Sequence, residues 1–265
     1  MNILLLGGSG KVGTAIQHVA GPDDTIIAPG RKDVDLSKGT CLNAINRMLK
    51  HDDIDAVINC AIVPAEAHVP GIEMVGINTI RPVEIYALCL HHLVKYVHYR
   101  SCVELRSDPY YDYSRTKIAA YHALTAIGNQ QLYSIMLGWV FGDGRHGRGV
   151  DADMIRALMN NEPFVADDRR IITPTYNIDV AKKTLSILHD APPGQQHNAA
   201  NKGASTFAGL ALHARSVFRS TGKLSFDAFS TRVERPRNIS IEGTMRPWYD
   251  AWDEYLHIVK DRGVL

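Results

Sequence analysis

Tyr113 and Lys117 stand four residues apart in the stretch YYDYSRTK, residues 110–117. On a helix that spacing puts both side chains on one face, roughly 6 Å apart along the axis. A phenol so placed can give up a proton, and the ammonium beside it can tune how readily it does so. The competing account is an amphipathic helix start carrying a solvated lysine, and the pair alone does not choose between them. Tyr110 and Tyr111 fall off the Lys117 face and are expected to shape the preceding loop.

A second chemical signal lies in NILLLGGSGKVGTAIQHVA, residues 2–20. An apolar run leads into Gly7, Gly10 and Gly13, then into a helical pattern through Ala15, Ile16 and Val19. A buried strand that feeds a helix through a glycine turn is how a parallel sheet binds a dinucleotide. Gly7 would permit the tight turn, Gly10 the approach of a pyrophosphate to backbone N–H groups, and Gly13 close packing of helix on strand. The positive end of the helix then faces the phosphates. Gly7, Ser9, Gly10, Lys11, Val12 and Gly13 are the expected cradle. Lys11 is followed by Val12 rather than Ser or Thr, which excludes a Walker-type phosphate loop.

The next strand, TIIA, ends in Pro29-Gly30-Arg31-Lys32. An acidic residue there would bind a ribose 2′-hydroxyl, whereas Arg31 and Lys32 would attract a 2′-phosphate. The expected cofactor is NADP(H), with NAD(H) left open because Asp33 and Asp35 follow closely. Asp35 and Leu36 complete the expected adenosine end of the site.

These groups need a frame. DAVINCAI (55–62) predicts a third strand after the helical pattern of Leu42, Ile45, Met48 and Leu49. KYVHYRS (95–101) predicts a fourth after a helix around 77–93, and QLYSIML (131–137) a fifth after the helix that Tyr113 opens. Strands alternating with helices give an α/β, Rossmann-type, doubly wound parallel sheet. From about Gly142 the chain is richer in Gly, Pro and short elements. The expected division is an NADP(H)-binding Rossmann domain at 1–142 and, at 143–265, mainly a smaller C-terminal substrate-binding lobe with some segments returning to the core. Trp248 and Trp252, four apart, read as core rather than pocket.

Bulk properties exclude several functions. Across 265 residues, 29 Lys+Arg against 28 Asp+Glu give a net charge of +1, so no large field invites nucleic acid or an anionic membrane. Cys41, Cys60, Cys89 and Cys102 show no C-x-x-C spacing, which argues against a zinc site or a disulfide framework and for a reducing cytoplasm. His91-His92 sits on a helical pattern and no H-E-x-x-H occurs, so no metal is expected. The start MNILLLGG lacks a basic n-region and is too short to span a membrane.

The chain resembles the extended short-chain dehydrogenase/reductase superfamily, and within it the dTDP-4-dehydrorhamnose reductase family. The resemblance rests on the glycine loop, DAVINCA with Asn59, Asn78 in GINTIRP and Tyr113-x-x-x-Lys117. Further along come GWVFG (138–142), TPTYNIDVA (173–181) and RPRN (235–238). It implies an NAD(P)H-dependent ketoreductase acting on a nucleotide-linked 4-keto-6-deoxy sugar. Tyr113 would protonate the substrate oxygen, Lys117 would tune the phenol and hold the nicotinamide ribose, and Ser101 would hydrogen-bond the same oxygen. Asn59, Cys60, Ala61 and Asn78 would lie beside the cofactor, and Trp139 in the sugar pocket. Arg145 and Arg148 in GDGRHGRG (142–149) could clamp a diphosphate, though a solvated loop explains them equally well.

The departures are equally specific. Where that family has a Ser-Thr-Asp-Tyr-like stretch, this chain has RSCVEL, and twelve positions (113 − 101) separate Ser101 from Tyr113. Met136 stands near the place of a usual arginine. Two alternatives stay open: a non-catalytic dinucleotide-binding regulatory subunit, and an epimerase or dehydratase on the same fold. Glu104 and Asp108 are weak candidates for the extra acid/base groups the latter needs. Association into a homodimer is left open.

Overall fold

Strand β1 (Asn2–Leu6) turns Ile3 and Leu5 to one side and Leu4 and Leu6 to the other, all of them buried. Strand side chains alternate, so an unbroken apolar run is buried only between two layers. The computed structural model describes residues 1–65, 67, 69–106, 112–144, 147, 149–227 and 237–263, and both layers are present.

β2 (Thr25–Ile27), β3 (Ala56–Asn59), β4 (Lys95–Ser101) and β5 (Leu132–Leu137) join β1 in a parallel sheet. The short strands β6 (Trp139–Phe141), β7 (Phe164–Ala166), β8 (Ile171–Ile172) and β9 (Pro174–Tyr176) lie outside it. β10 (Gln196–Asn198) returns to pair with β5, and the order across the sheet is β10-β5-β4-β3-β1-β2. This is the Rossmann-type sheet that the sequence predicts, with its switch in strand order between β1 and β3.

One face carries α1 (Lys11–Val19), whose Ile16 packs with Ile3, Leu5 and Ile58. The other carries α2 (Cys41–His51), where Ile45 meets Leu4 and Leu6. α3 (Gly71–Val75) runs through a π-helical turn, Gly76–Ile80, into α4 (Arg81–His91), and α5 (Asp112–Ile127) completes that layer. The helix expected around 77–93 therefore begins earlier and widens at its middle. Pro82 near the start of α4 has no N–H for the carbonyl of Asn78, which interrupts the regular ladder there. β3 also stops at Asn59, short of the apolar run through Ile62. The Asn59 side chain accepts the Ala61 N–H at 3.1 Å and turns the chain out of the sheet.

α6 (Val150–Met159), α8 (Phe207–Phe218) and α9 (Trp248–Arg262) surround a separate core of Phe141, Tyr176, Trp252 and Tyr255. Trp252 is fully buried, meets Phe141 edge-on at 5.0 Å and donates its indole N–H to the Leu210 carbonyl, as the core reading of the tryptophan pair requires. α7 (Asn177–Asp190) instead packs beside α1 on the main sheet through Val180 and Leu185. The GWVFG and TPTYNIDVA stretches, far apart in sequence, meet as β6 and β9 in a parallel pair. All four cysteines are free. Among the described residues no helix is long and apolar enough to cross a membrane, and no group of His, Cys, Asp and Glu could hold a metal ion.

Candidate active site

The chain leaves β1 at Gly7 with φ of 76°, a region that side-chain-bearing residues rarely adopt. A Cβ on Gly7 would lie 2.6 Å from the Ala61 nitrogen, and one on Gly13 would lie 2.5 Å from the Gly7 oxygen. The turn therefore packs directly on the segment after β3, and the first turn of α1 packs directly on the glycine turn. A Cβ on Gly10 would touch only the Gly7 oxygen, at 3.4 Å, so the backbone there can be approached from outside. No side chain caps α1 and no acid stands in its first turn, which leaves its positive end uncompensated. A groove of about 560 Å³ runs from Gly7, Gly8 and Ser9 past Ala61 to Arg31 and Leu36. It lies where the strand order switches, and these residues fit a dinucleotide. Gly7→Ala is expected to destabilise the fold by about 1–3 kcal/mol through strain and overpacking. Thermal denaturation checks this, and an unchanged melting temperature would refute the tight turn.

Arg31 and Lys32 line an adjoining pocket of about 440 Å³ together with Asp33, Asp35 and Lys38. Asp35 is engaged locally: it accepts the hydroxyl of Ser37 at 2.7 Å and its N–H at 3.0 Å, and these bonds hold its carboxyl below the usual range. The Leu36 carbonyl accepts the Arg81 Nε–H at 2.9 Å, anchoring this segment to α4. The three cations of the pocket are thus set against two acids, of which Asp35 is already engaged by Ser37 and, at 3.8 Å, by Lys38.

Lys11 goes elsewhere. Its ammonium meets both carboxylate oxygens of buried Asp151, at the start of α6, at 2.5 Å each. Asp151 also accepts the Gly142 N–H at 3.1 Å, and Asn177 donates to the carbonyls of Lys11 at 2.9 Å and Asp143 at 2.7 Å. Val12 packs into the core under α1. What Lys11 and Val12 offer a cofactor is therefore backbone, and the Lys11 side chain ties the glycine turn to α6. Sequence reasoning missed Asp151 and Asn177. The available signal was the position of Asn177 within TPTYNIDVA.

At the other side of the crevice α5 carries Tyr113 and Lys117 one turn apart. Lys117 is only 6 % exposed and its ammonium donates to the Tyr99 carbonyl at 2.5 Å, so the solvated-lysine account fails. Burial pulls its pKa down to about 8; Glu104 pushes it back up and Arg100 pulls it further down. Tyr113 is half-buried and packs on the same cluster as Trp139, Cys102 and Val103. Ser101 ends β4. Two residues before it Tyr99 accepts Lys117, and two residues after it the Val103 carbonyl accepts the Ser114 hydroxyl at 3.2 Å. Both flanks of Ser101 are thereby bonded to α5, which brings Ser101, Tyr113 and Lys117 to one strand end. Cys102, the neighbour that a one-residue shift would exchange for Ser101, is instead sunk in the core, where burial pushes its thiol up to about 12.

The remaining expected residues are bonded or packed within the protein. The Asn59 amide donates to the Tyr96 hydroxyl at 3.1 Å. Asn78, in the π-helical turn, accepts the Val63 N–H at 2.8 Å and donates to the Val63 carbonyl at 2.9 Å, clamping the loop that borders the groove. The Cys60 N–H donates to the Leu6 carbonyl, the last link between β1 and the β3 segment before Ala61. Trp139 stands edge-on to Phe207 with ring centroids 4.8 Å apart. Arg145, Arg148, Tyr110, Tyr111, Asp108 and Arg235 lie outside the described residues.

A family model described as the RmlD substrate binding domain matches residues 1–246. The chain belongs to this family. A protein of Streptomyces niveus named dTDP-4-keto-6-deoxy-D-glucose reductase is 24 % identical over 274 residues, covering 95 % of this chain and 90 % of that one. Among solved structures, a dTDP-4-dehydrorhamnose reductase of Clostridium acetobutylicum superimposes with a TM-score of 0.86 at 19 % identity, over 98 % of this chain and 100 % of that one. A dTDP-4-dehydrorhamnose reductase of Bacillus anthracis in complex with NADP gives 0.87 at 16 % identity, over 97 % and 99 %. These two likenesses are of fold.

The chain of this RmlD-family member turns sharply after Ser101. A 3-10 turn, Cys102–Arg106, leads towards α5, which begins at Asp112. In that turn the Glu104 side chain, 1 % exposed, folds back onto Arg100 and Ser101.

Proposed function

We propose that this chain is an NADPH-dependent ketoreductase of the short-chain dehydrogenase/reductase type that reduces a nucleotide-linked 4-keto-6-deoxy sugar. The observation that carries the reading is the buried ammonium of Lys117. Burying a charge destabilises a fold, yet this one stands one helical turn from a phenol and beside the strand end that holds Ser101, across from a glycine-lined groove. The names of the relatives, reductases of dTDP-linked keto sugars, support the substrate class. Residues 1–142 mainly serve the cofactor and 143–265 mainly the substrate, with α7 and β10 returning to the sheet.

A reduced nicotinamide, when bound, supplies a hydride to the carbonyl carbon. Gly7, Ser9 and Gly10 would receive the pyrophosphate, Arg31 and Lys32 the 2′-phosphate, and Asn59, Ala61 and Asn78 shape the wall beside them. Tyr113 gives its proton to the carbonyl oxygen, which becomes the product hydroxyl. An ordinary phenol, with a pKa of about 10, is a sluggish donor at neutral pH, and a nearby ammonium favours the phenolate it leaves behind. Lys117 supplies that charge and holds the ribose with the donors not given to Tyr99. Ser101 donates a hydrogen bond to the same oxygen, Trp139 lines the sugar site, and Arg145 and Arg148 meet the diphosphate. Reduction should therefore decline as the pH rises through about 8, where Lys117 loses its charge.

Steady-state NADPH oxidation against dTDP-4-keto-6-deoxy-D-glucose and a panel of free ketones tests the reading. Turnover of the nucleotide-linked ketone is expected. Tight NADPH binding with no turnover of any ketone would establish a non-catalytic dinucleotide-binding protein instead. For the cofactor, charge-assisted contacts to a phosphate are typically worth ~1.5–3 kcal/mol, so NADPH should bind roughly 10- to 150-fold more tightly than NADH. Calorimetric titration should show this preference in the wild type and its loss when Arg31→Ala and Lys32→Ala are combined. Equal affinities in the wild type would assign the pocket to its acids.

A further inference from the structure

Glu104 is a buried acid near the reacting groups for which neither the glycine groove nor the proton donor accounts. Its Oε1 accepts the Ser101 N–H at 2.7 Å and its Oε2 accepts the Arg100 Nε–H at 2.8 Å. Arg100 is itself fixed, with its guanidinium 3.6 Å from the centre of the Tyr121 ring and its Nη1 donating to Gln196 at 3.1 Å. A buried carboxylate held at both oxygens cannot drift, so Glu104 adds to the sheet pairing with Leu137 a second restraint on the backbone at Ser101.

The second consequence is electrostatic. Among the described residues, the charged and titratable groups that act on or with Lys117 are Glu104 from the 3-10 turn and Arg100 and His98 from β4; Tyr113 lies one turn away on the same helix, and the π-helical turn bonds Thr116, the residue before Lys117, through Asn78 and Thr79, which do not titrate. His98 is driven well below its ordinary value by burial first and then by Lys117 and Arg100, so it is neutral. Among the described residues in this set, Glu104 brings the negative charge.

We infer that Glu104 is a positioning residue of this site, orienting Ser101 through its backbone and serving as the buried counter-charge that keeps Lys117 an ammonium. This inference rests on the reading of Ser101, Tyr113 and Lys117 given above. It makes the Ser101 end of the site a unit: Arg100 fixes Glu104, and Glu104 fixes both the hydroxyl-bearing residue and the charge of the lysine.

The test is an NMR titration of the apoprotein with isotope-labelled lysine, the Lys117 signal being assigned by its absence in Lys117→Met. The wild-type midpoint is expected at about 8. Glu104→Gln keeps the side chain's shape and removes its charge, and should lower the midpoint by roughly one pH unit. Arg100→Met removes the opposing charge and should raise it, and this opposite shift stands as a test even where Glu104→Gln fails to fold. Purely structural support would move both midpoints alike or not at all, and either result overturns the inference. In parallel, the alkaline limb of kcat for reduction of dTDP-4-keto-6-deoxy-D-glucose should follow the NMR midpoint in each folded variant. If the midpoints shift as expected while the limb stays in place, Lys117 is outside the reaction, and it is the catalytic reading that falls.

Discussion

Tyr113→Phe should reduce turnover by ~10²–10⁴, the usual worth of a general acid, while leaving NADPH affinity within a few-fold of wild type. The substitution removes one hydroxyl and keeps the ring that packs among Trp139, Cys102 and Val103, so the fold should be little altered. The groove that begins at Gly7 lies on the other side of the crevice and does not depend on that hydroxyl. The loss should appear in kcat and kcat/KM together, because the proton moves only in the transition state. Single-turnover kinetics with saturating NADPH measures it. Ketone reduction at an undiminished rate would place the proton donor elsewhere.

Lys117→Met should act on function and stability in opposite directions. Turnover should fall by at least ~10² and NADPH binding should weaken, since in the proposed mechanism one side chain serves both the phenol and the ribose. Stability should be kept or raised, because a thioether of similar length replaces an ammonium that is buried at a cost. The pH dependence follows from linkage. The folded-state pKa of about 8 lies below the value of about 10.4 expected in the unfolded chain. The wild type therefore carries the full cost of the buried charge below pH 8, and that cost is relieved as the pH rises from there through the unfolded-state value. Melting temperatures of variant and wild type should converge over that interval. A variant less stable than wild type at neutral pH would contradict the account of Lys117 as a destabilising functional group.

The parts of this protein that were legible in its sequence are those fixed by short-range patterns. Strand, glycine turn and helix follow one another within the first twenty residues, and φ at Gly7 together with the close approach of Gly13 is what a glycine-spaced turn demands. The four-residue spacing of Tyr113 and Lys117 placed them on one helix, but whether Lys117 is solvated depends on the Tyr99 carbonyl, eighteen positions away, and on the sheet beneath it. Contacts that span the chain were invisible. Lys11 meets Asp151 across 140 positions, and no local pattern in either segment announces the pairing. Glu104 shows a different limit. As a letter in RSCVEL it reads as a weak acid/base candidate, and its hold on Arg100 and Ser101 emerges only when the turn folds the side chain back into the protein. The widening of the helix before α4 was in principle readable from Pro82, which removes a donor from the ladder.

The central claim is that this site transfers a hydride to a sugar ketone while Tyr113 supplies the proton, and isotopic transfer tests it most directly. Incubation of the wild-type protein with dTDP-4-keto-6-deoxy-D-glucose and NADPH deuterated on the transferable face, followed by mass spectrometry and NMR of the sugar, should give an alcohol with a single deuterium on C4 and an equal amount of NADP. Recovery of the ketone unchanged, or of an isomerised or dehydrated sugar with the NADPH unconsumed, would contradict it.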